Sequence, residues 1–171
     1  MLKQLFTAAG AMLVVSLAAA TVRAEGSSSW VDVGPGHANA GASYDAPIGI
    51  AESESRVGDV NFGRGFALGF GPNGLTLSHS IGVQDNGVGV GHNFQMSIGP
   101  EGTHVSHGGV LTAGGNSQVI AGGQTQIDHN GPQGGSYAGG SGMYTNAWSQ
   151  SRTRRAGPFA RFRQGPHPWG P

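Results

Sequence analysis

Residues Phe66 to Leu111 carry one pattern twice. Phe66-Ala-Leu-Gly-Phe-Gly-Pro-Asn-Gly-Leu-Thr-Leu-Ser-His returns 28 positions later as Phe94-Gln-Met-Ser-Ile-Gly-Pro-Glu-Gly-Thr-His-Val-Ser-His, with apolar residues, Gly-Pro-x-Gly and Ser-His in step. A repeat unit made of apolar alternation around a turn signal is a hairpin, and consecutive hairpins stack into antiparallel sheet.

The turns set the register. Gly71-Pro-Asn-Gly74 and Gly99-Pro-Glu-Gly102 place Pro where φ is already near the turn value and Gly where positive φ is needed, and Asn86-Gly87 is a strong two-residue hairpin signal. Four antiparallel strands follow, over 60–70, 75–84, 88–98 and 103–112, with Phe70 facing Leu75, Leu75 facing Ile98 and Ile98 facing Thr103. Continued outward, this register gives the rows Leu68-Leu77-Met96-Val105, Phe66-His79-Phe94-His107 and Phe62-Val83-Val90-Leu111 on one face. The other face carries Ala67-Ser78-Gln95-Ser106 and Gly69-Thr76-Ser97-His104, small and polar throughout. A slip of one residue would exchange the faces, so the pattern specifies the pairing strongly.

A fifth strand is expected over 119–127, followed by a third Gly-Pro-x-Gly at 131–134, after which Tyr137, Tyr144 and Trp148 either add a ragged last strand or pack as isolated aromatics. The expected fold is all-β: an antiparallel meander of four to six strands whose one-sided sheet curls or packs as a sandwich, with disordered flanks. The apolar face needs a cover, because a sheet with one apolar side cannot stand alone in water. The N-terminal segment with Trp30, Val31 and Val33, a second copy of the sheet, or further curling would each supply one.

The flanks read differently from the centre. Met1 to Gln4 with Lys3, the apolar stretch Leu5 to Ala20 and the small-residue site Val22-Arg23-Ala24 form a signal peptide over 1–24, cleaved before Glu25. The apolar run falls short of the ~20 residues of a spanning helix, and no later segment could span a membrane as a helix. The expected location is therefore secreted, periplasmic or at the cell surface. Residues 25–59 form an acidic segment expected to be mostly irregular, 60–148 the β domain, and 149–171 a basic, Pro-rich and Arg-rich disordered tail.

The chain has no Cys, so no disulfide framework supports it. Its Leu, Ile, Val and Phe are scarce outside the stretch from Val60 to Leu111, so one compact region is expected to fold. The exported part holds slightly more acids than bases, which argues against a dedicated nucleic-acid binder.

Reactive groups are few. No Gly-x-Ser-x-Gly, phosphate-binding loop, His-Glu-x-x-His or carboxylate pair occurs in the folded part, so an enzyme is not expected, and no cofactor is implied. Seven His are the one unusual stock. His79 and His107 are repeat equivalents and are expected to fill the same structural slot beside Phe66 and Phe94. His92 lies diagonal to both on the same face, which makes His79, His92 and His107 the candidate ligands of a Zn or Cu ion. His104 and His107 are three apart on a strand and point to opposite faces. Arg152, Arg154, Arg155, Arg161 and Arg163, with Phe159, Phe162 and Trp169 among them, are the candidates for contact with an anionic envelope surface. The functional expectation is an exported, non-enzymatic structural or interaction protein whose partner is itself or such a surface. The alternative is a small metal-binding or ligand-binding β domain using the three His.

Overall fold

The computed structural model describes residues 24–156, and ten strands run through them. They are β1 (Glu25–Gly34), β2 (His37–Asp45), β3 (Ile48–Arg56), β4 (Asn61–Gly71), β5 (Gly74–Asp85), β6 (Val88–Gly99), β7 (Gly102–Ala113), β8 (Gln118–Asp128), β9 (Gly131–Ser141) and β10 (Tyr144–Arg155). No helix occurs among the described residues. All pairs are antiparallel, in a six-stranded sheet ordered β10-β7-β6-β5-β4-β3 and a four-stranded sheet ordered β2-β1-β8-β9.

The two sheets form a sandwich, with β1 packed on β4 and β5, β8 on β5 and β6, and β9 on β7. The chain changes sheets at Ala46-Pro47, at 114–117 and at Gly142-Met143. β2 therefore lies beside β3 along one flank and β9 beside β10 along the other, so the edges of both sheets coincide.

The central register matches the expected one residue for residue. Phe66 pairs with His79, His79 with Phe94 and Phe94 with His107, and the Leu68 and Phe62 rows align likewise. The turns explain the agreement. Asn86 (φ 46°) and Gly87 (φ 76°) form the left-handed pair of a tight hairpin, and Gly74 and Gly102 close the two Gly-Pro turns at positive φ. The third Gly-Pro-x-Gly departs from this rule: the turn falls at His129-Asn130, where Asn130 N–H donates to Asp128 Oδ1 at 2.7 Å, and Pro132 sits inside β9. A proline is tolerated there because β9 is an edge strand.

The extent of the fold corrects three expectations. The strands number ten, rather than four to six. The acidic segment is not irregular: residues 25–56 supply β1, β2 and β3, and β1 is central in its sheet. The basic segment contributes Ser149 to Arg155 to β10, which pairs with β7 from Tyr144–Ala113 to Arg155–Gly102. In these added strands large apolar residues are few, as in β1, where Ser27 and Ser29 precede Val31 and Val33 on one face, and packing more than propensity makes the strand. The expectations for residues 1–23 and 157–171, including most of the signal peptide and Arg161 and Arg163, lie outside the described residues.

The largest correction concerns which face is covered. Ala67, Ser78, Gln95 and Ser106 are fully buried between the sheets, as are Thr76 and Ser97, whereas Phe66, Leu68, Leu77, Phe94 and Met96 point outward and are only half-buried. The sheets approach too closely for large side chains. A Cβ added at Gly82 of β5 would lie 3.0 Å from Val33 Cγ2, and one added at Gly65 would run into the Gly41 carbonyl oxygen. The main apolar cluster lies at one end, where Val31, Val33, Ala38, Val110, Val119 and Ala121 meet, and at the other end Ile127 is fully buried beside Gly74 and Gly99.

The rest of the interior is held by hydroxyls and amides. Ser29 Oγ lies 2.7 Å from Ser78 Oγ and 2.8 Å from Ser80 Oγ, and Ser78 Oγ donates to the Gly123 carbonyl at 3.4 Å. One proton per hydroxyl then sets the direction, Ser80 donating to Ser29 and Ser29 to Ser78. Thr125 Oγ1 bonds Ser97 Oγ at 2.8 Å, and Asn93 Nδ2 donates to the Tyr137 carbonyl at 2.6 Å. These bonds join the two sheets where an ordinary sandwich would interdigitate apolar side chains.

Candidate interaction surface

The outer face of the six-stranded sheet collects most of the large apolar side chains among the described residues. Its rows, read from β3 to β10, are Ile48-Phe70-Leu75-Ile98-Thr103-Arg154, Ile50-Leu68-Leu77-Met96-Val105-Arg152 and Glu52-Phe66-His79-Phe94-His107-Gln150. Two more follow, Glu54-Arg64-Ile81-His92-Gly109-Trp148 and Arg56-Phe62-Val83-Val90-Leu111-Asn146. Period-two alternation forces this segregation, since every second residue of each strand must share one face. Ile48 is 67% exposed, Phe70 53% and Val90 50%, so the apolar surface reaches water across the width of the sheet. Contiguous apolar surface on this scale marks a contact site more often than a free one.

His79, His92 and His107 all stand on this face, as the register requires. His107 packs edge-on against Trp148 at 5.1 Å between ring centroids, and His92 is tilted against the same indole at 6.5 Å. The indole lies over Gly109, where an added Cβ would be 3.1 Å from it. Trp148 thus joins two of the three His into one aromatic group at the β7–β10 border. Burial holds His79 below the ordinary imidazole value, and the neighbouring His92 and Arg64 charges push the same way. Among the described residues, no three His, Cys, Asp or Glu come together in a way that could hold a metal ion. The three His therefore share a face without converging on an ion.

The remaining imidazole of the repeat points inward. His104 is buried, its Nδ1 2.8 Å from Thr153 Oγ1, while Nε2 has no hydrogen-bond partner. Burial holds it below the usual imidazole value.

The two edges of this sheet differ in charge. β3 carries Glu52 and Glu54 on the outer face, with Glu54 near Arg64 (3.9 Å) and Arg56 (3.7 Å). β10 carries Arg152 and Arg154 on the same face, and Arg155 turned the other way. All three arginines are exposed, and none has an ion-pair partner among the described residues.

The four-stranded sheet presents a different outer surface. Its central row, Gly41-Trp30-Gly122-Tyr137, alternates glycine with aromatic residues. The Trp30 ring lies over Gly41 and the Tyr137 ring over Gly122, each covering backbone that a glycine leaves bare. The sequence signalled neither Trp148, which lies in the stretch read as ragged, nor the β3 edge; the alternation of Glu52 and Glu54 with Ser53 and Ser55 was the available sign.

Compared with protein-family models, curated proteins and solved structures, the chain matches none.

Proposed function

We propose that this chain is an exported, non-enzymatic structural protein that works by association with further copies through the outer face of its six-stranded sheet. One observation carries the reading: small hydroxyl and amide side chains fill much of the interior, while Phe66, Leu68, Leu77, Phe94 and Met96 stand half-buried on the outer face. Fully burying a side chain of this size contributes about 1.5–3 kcal/mol. The face offers many such side chains, already half-buried, and several together are needed to offset the about 4–15 kcal/mol that association costs.

Export rests on the signal-like N-terminus, Leu5 to Ala24. No helix among the described residues is long and apolar enough to cross a membrane. The metal-binding alternative draws no support from the separated His79, His92 and His107. Light scattering on the exported chain across a dilution series tests the proposal. Its mass should rise with concentration in the presence of a chelator, and Met96→Glu, in the middle of the face, should lower that mass at every concentration by removing the face-to-face contact. A monomer at every concentration would overturn the reading, as would stoichiometric Zn or Cu binding that is lost in His92→Ala.

A further inference from the structure

Both sheets end in open edge strands, and such edges are templates for pairing with another chain unless something blocks them. In the six-stranded sheet the two open edges are β3 and β10. Each is solvent-exposed over nearly its whole length, and their charges are opposite: Glu52 and Glu54 against Arg152, Arg154 and Arg155. We infer that β10 of one copy pairs antiparallel with β3 of the next, so that copies add edge to edge without limit. This rests on the assembly reading above and names a second contact, distinct from the apolar face.

Four features meet at this seam. The first is direction. Strands alternate along both sheets, and each sheet has an even number of them, so a copy displaced sideways presents β3 to β10 and β2 to β9 in antiparallel orientation. Because β2 flanks β3 and β9 flanks β10, both layers of the sandwich continue together.

The second is register. Arg152 set opposite Glu54 places Arg154 opposite Glu52, and all four residues belong to the outer face. The same alignment sets Ser151 opposite Ser55 and Thr153 opposite Ser53 on the inner face, extending the small, polar interior rows across the seam. An odd shift would break both matches at once.

The third is selectivity. A twofold pairing of β3 with β3 would bring Glu52 and Glu54 against their own kind, and β10 with β10 would do so for the arginines. Like charges directly opposite are unfavourable on a sheet, so the heterologous pairing is favoured over any that sets Glu52 and Glu54, or the arginines of β10, against themselves, although Arg56 at the end of β3 softens the contrast. Heterologous contacts that do not close into a ring make open filaments. The fourth is that little blocks the layer beneath. The partner edges β2 and β9 of the four-stranded sheet carry no Lys or Arg, β9 is rich in glycine, and its one proline, Pro132, stands at the second residue of the strand.

Charge exchange on the whole exported chain tests the seam. Glu52→Arg with Glu54→Arg makes both edges basic, and Arg152→Glu with Arg154→Glu makes both acidic. Each double variant alone should fail to elongate by electron microscopy and light scattering while keeping the wild-type thermal transition. An equimolar mixture of the two should elongate again as an alternating polymer, and the quadruple exchange should elongate by itself. Elongation of the unaltered chain should shorten as salt is raised, because the opposed charges are exposed.

Double variants that elongate like the unaltered chain, or folded variants whose mixture does not recover, would overturn the seam. The apolar face fails separately. Met96→Glu should abolish lateral pairing of filaments and leave their length unchanged, so single-layer filaments support the seam whether or not the face reading survives. An unaltered chain that is monomeric at every concentration and salt would overturn both.

Discussion

At the scale of single residues, Leu77 and Ser78 carry the account. They are neighbours on β5, one pointing out and the other in. Ser78 is fully buried and joins Ser29 to the Gly123 carbonyl. Ser78→Ala should cost about 1–2 kcal/mol for the broken chain of hydrogen bonds, and Ser78→Leu about 3 kcal/mol or more for overpacking. Leu77→Ala should cost about 1 kcal/mol or less in the separated molecule; chemical denaturation of the three variants at low concentration checks the order. His104 adds a pH dependence. Burial holds its folded pKa below 6.5, and His79 shifts in the same direction through burial, His92 and Arg64. The unfolded chain then binds more protons than the folded one. Stability should be full above about pH 6.5 and decline as pH falls below it, until the folded imidazoles also protonate. Thermal midpoints across that range should show a shallower decline in His104→Gln, and parallel curves would contradict the assignment.

At the scale of elements, the hairpins were legible and the sheet edges were not. Asn86-Gly87 and the two Gly-Pro turns require backbone conformations that few residues adopt, so they placed β4 to β7 and their register without reference to packing. β1, β3 and β10 alternate Ser, Gly, Glu and Arg with few apolar residues, a pattern that becomes a strand only when a neighbouring sheet supplies the partner. The candidate site followed the same division. The rows holding His79, His92 and His107 could be placed from the turns, while Trp148 and the charges of β3 depended on strands that only weak alternation marked. Gly87→Ala should cost about 1 kcal/mol or more, because Gly87 holds φ at 76° and its carbonyl accepts from Gly114 N–H at 2.7 Å. Gly115→Ala, in open space, should be near neutral, and equal losses in thermal denaturation would put the turn's role in doubt.

For the molecule as a whole, the sequence pattern specifies the two faces of the sheet but leaves open which one is covered. An apolar row reads as a core because burial of apolar surface is the usual driving force. Here the second sheet settles against the opposite face, where Gly63, Gly65, Gly82 and Gly91 leave room for close approach, and hydroxyl bonds replace apolar contacts. The apolar rows are then available for contact between copies. The double variant Leu77→Ser with Met96→Ser, studied by thermal denaturation and light scattering on the same sample, tests this division of labour most directly. The account predicts a transition within a few degrees of the unaltered dilute chain, together with loss of the face-to-face association and a correspondingly lower scattering mass. A variant that unfolds while the unaltered chain remains folded would show that the apolar face is the core after all.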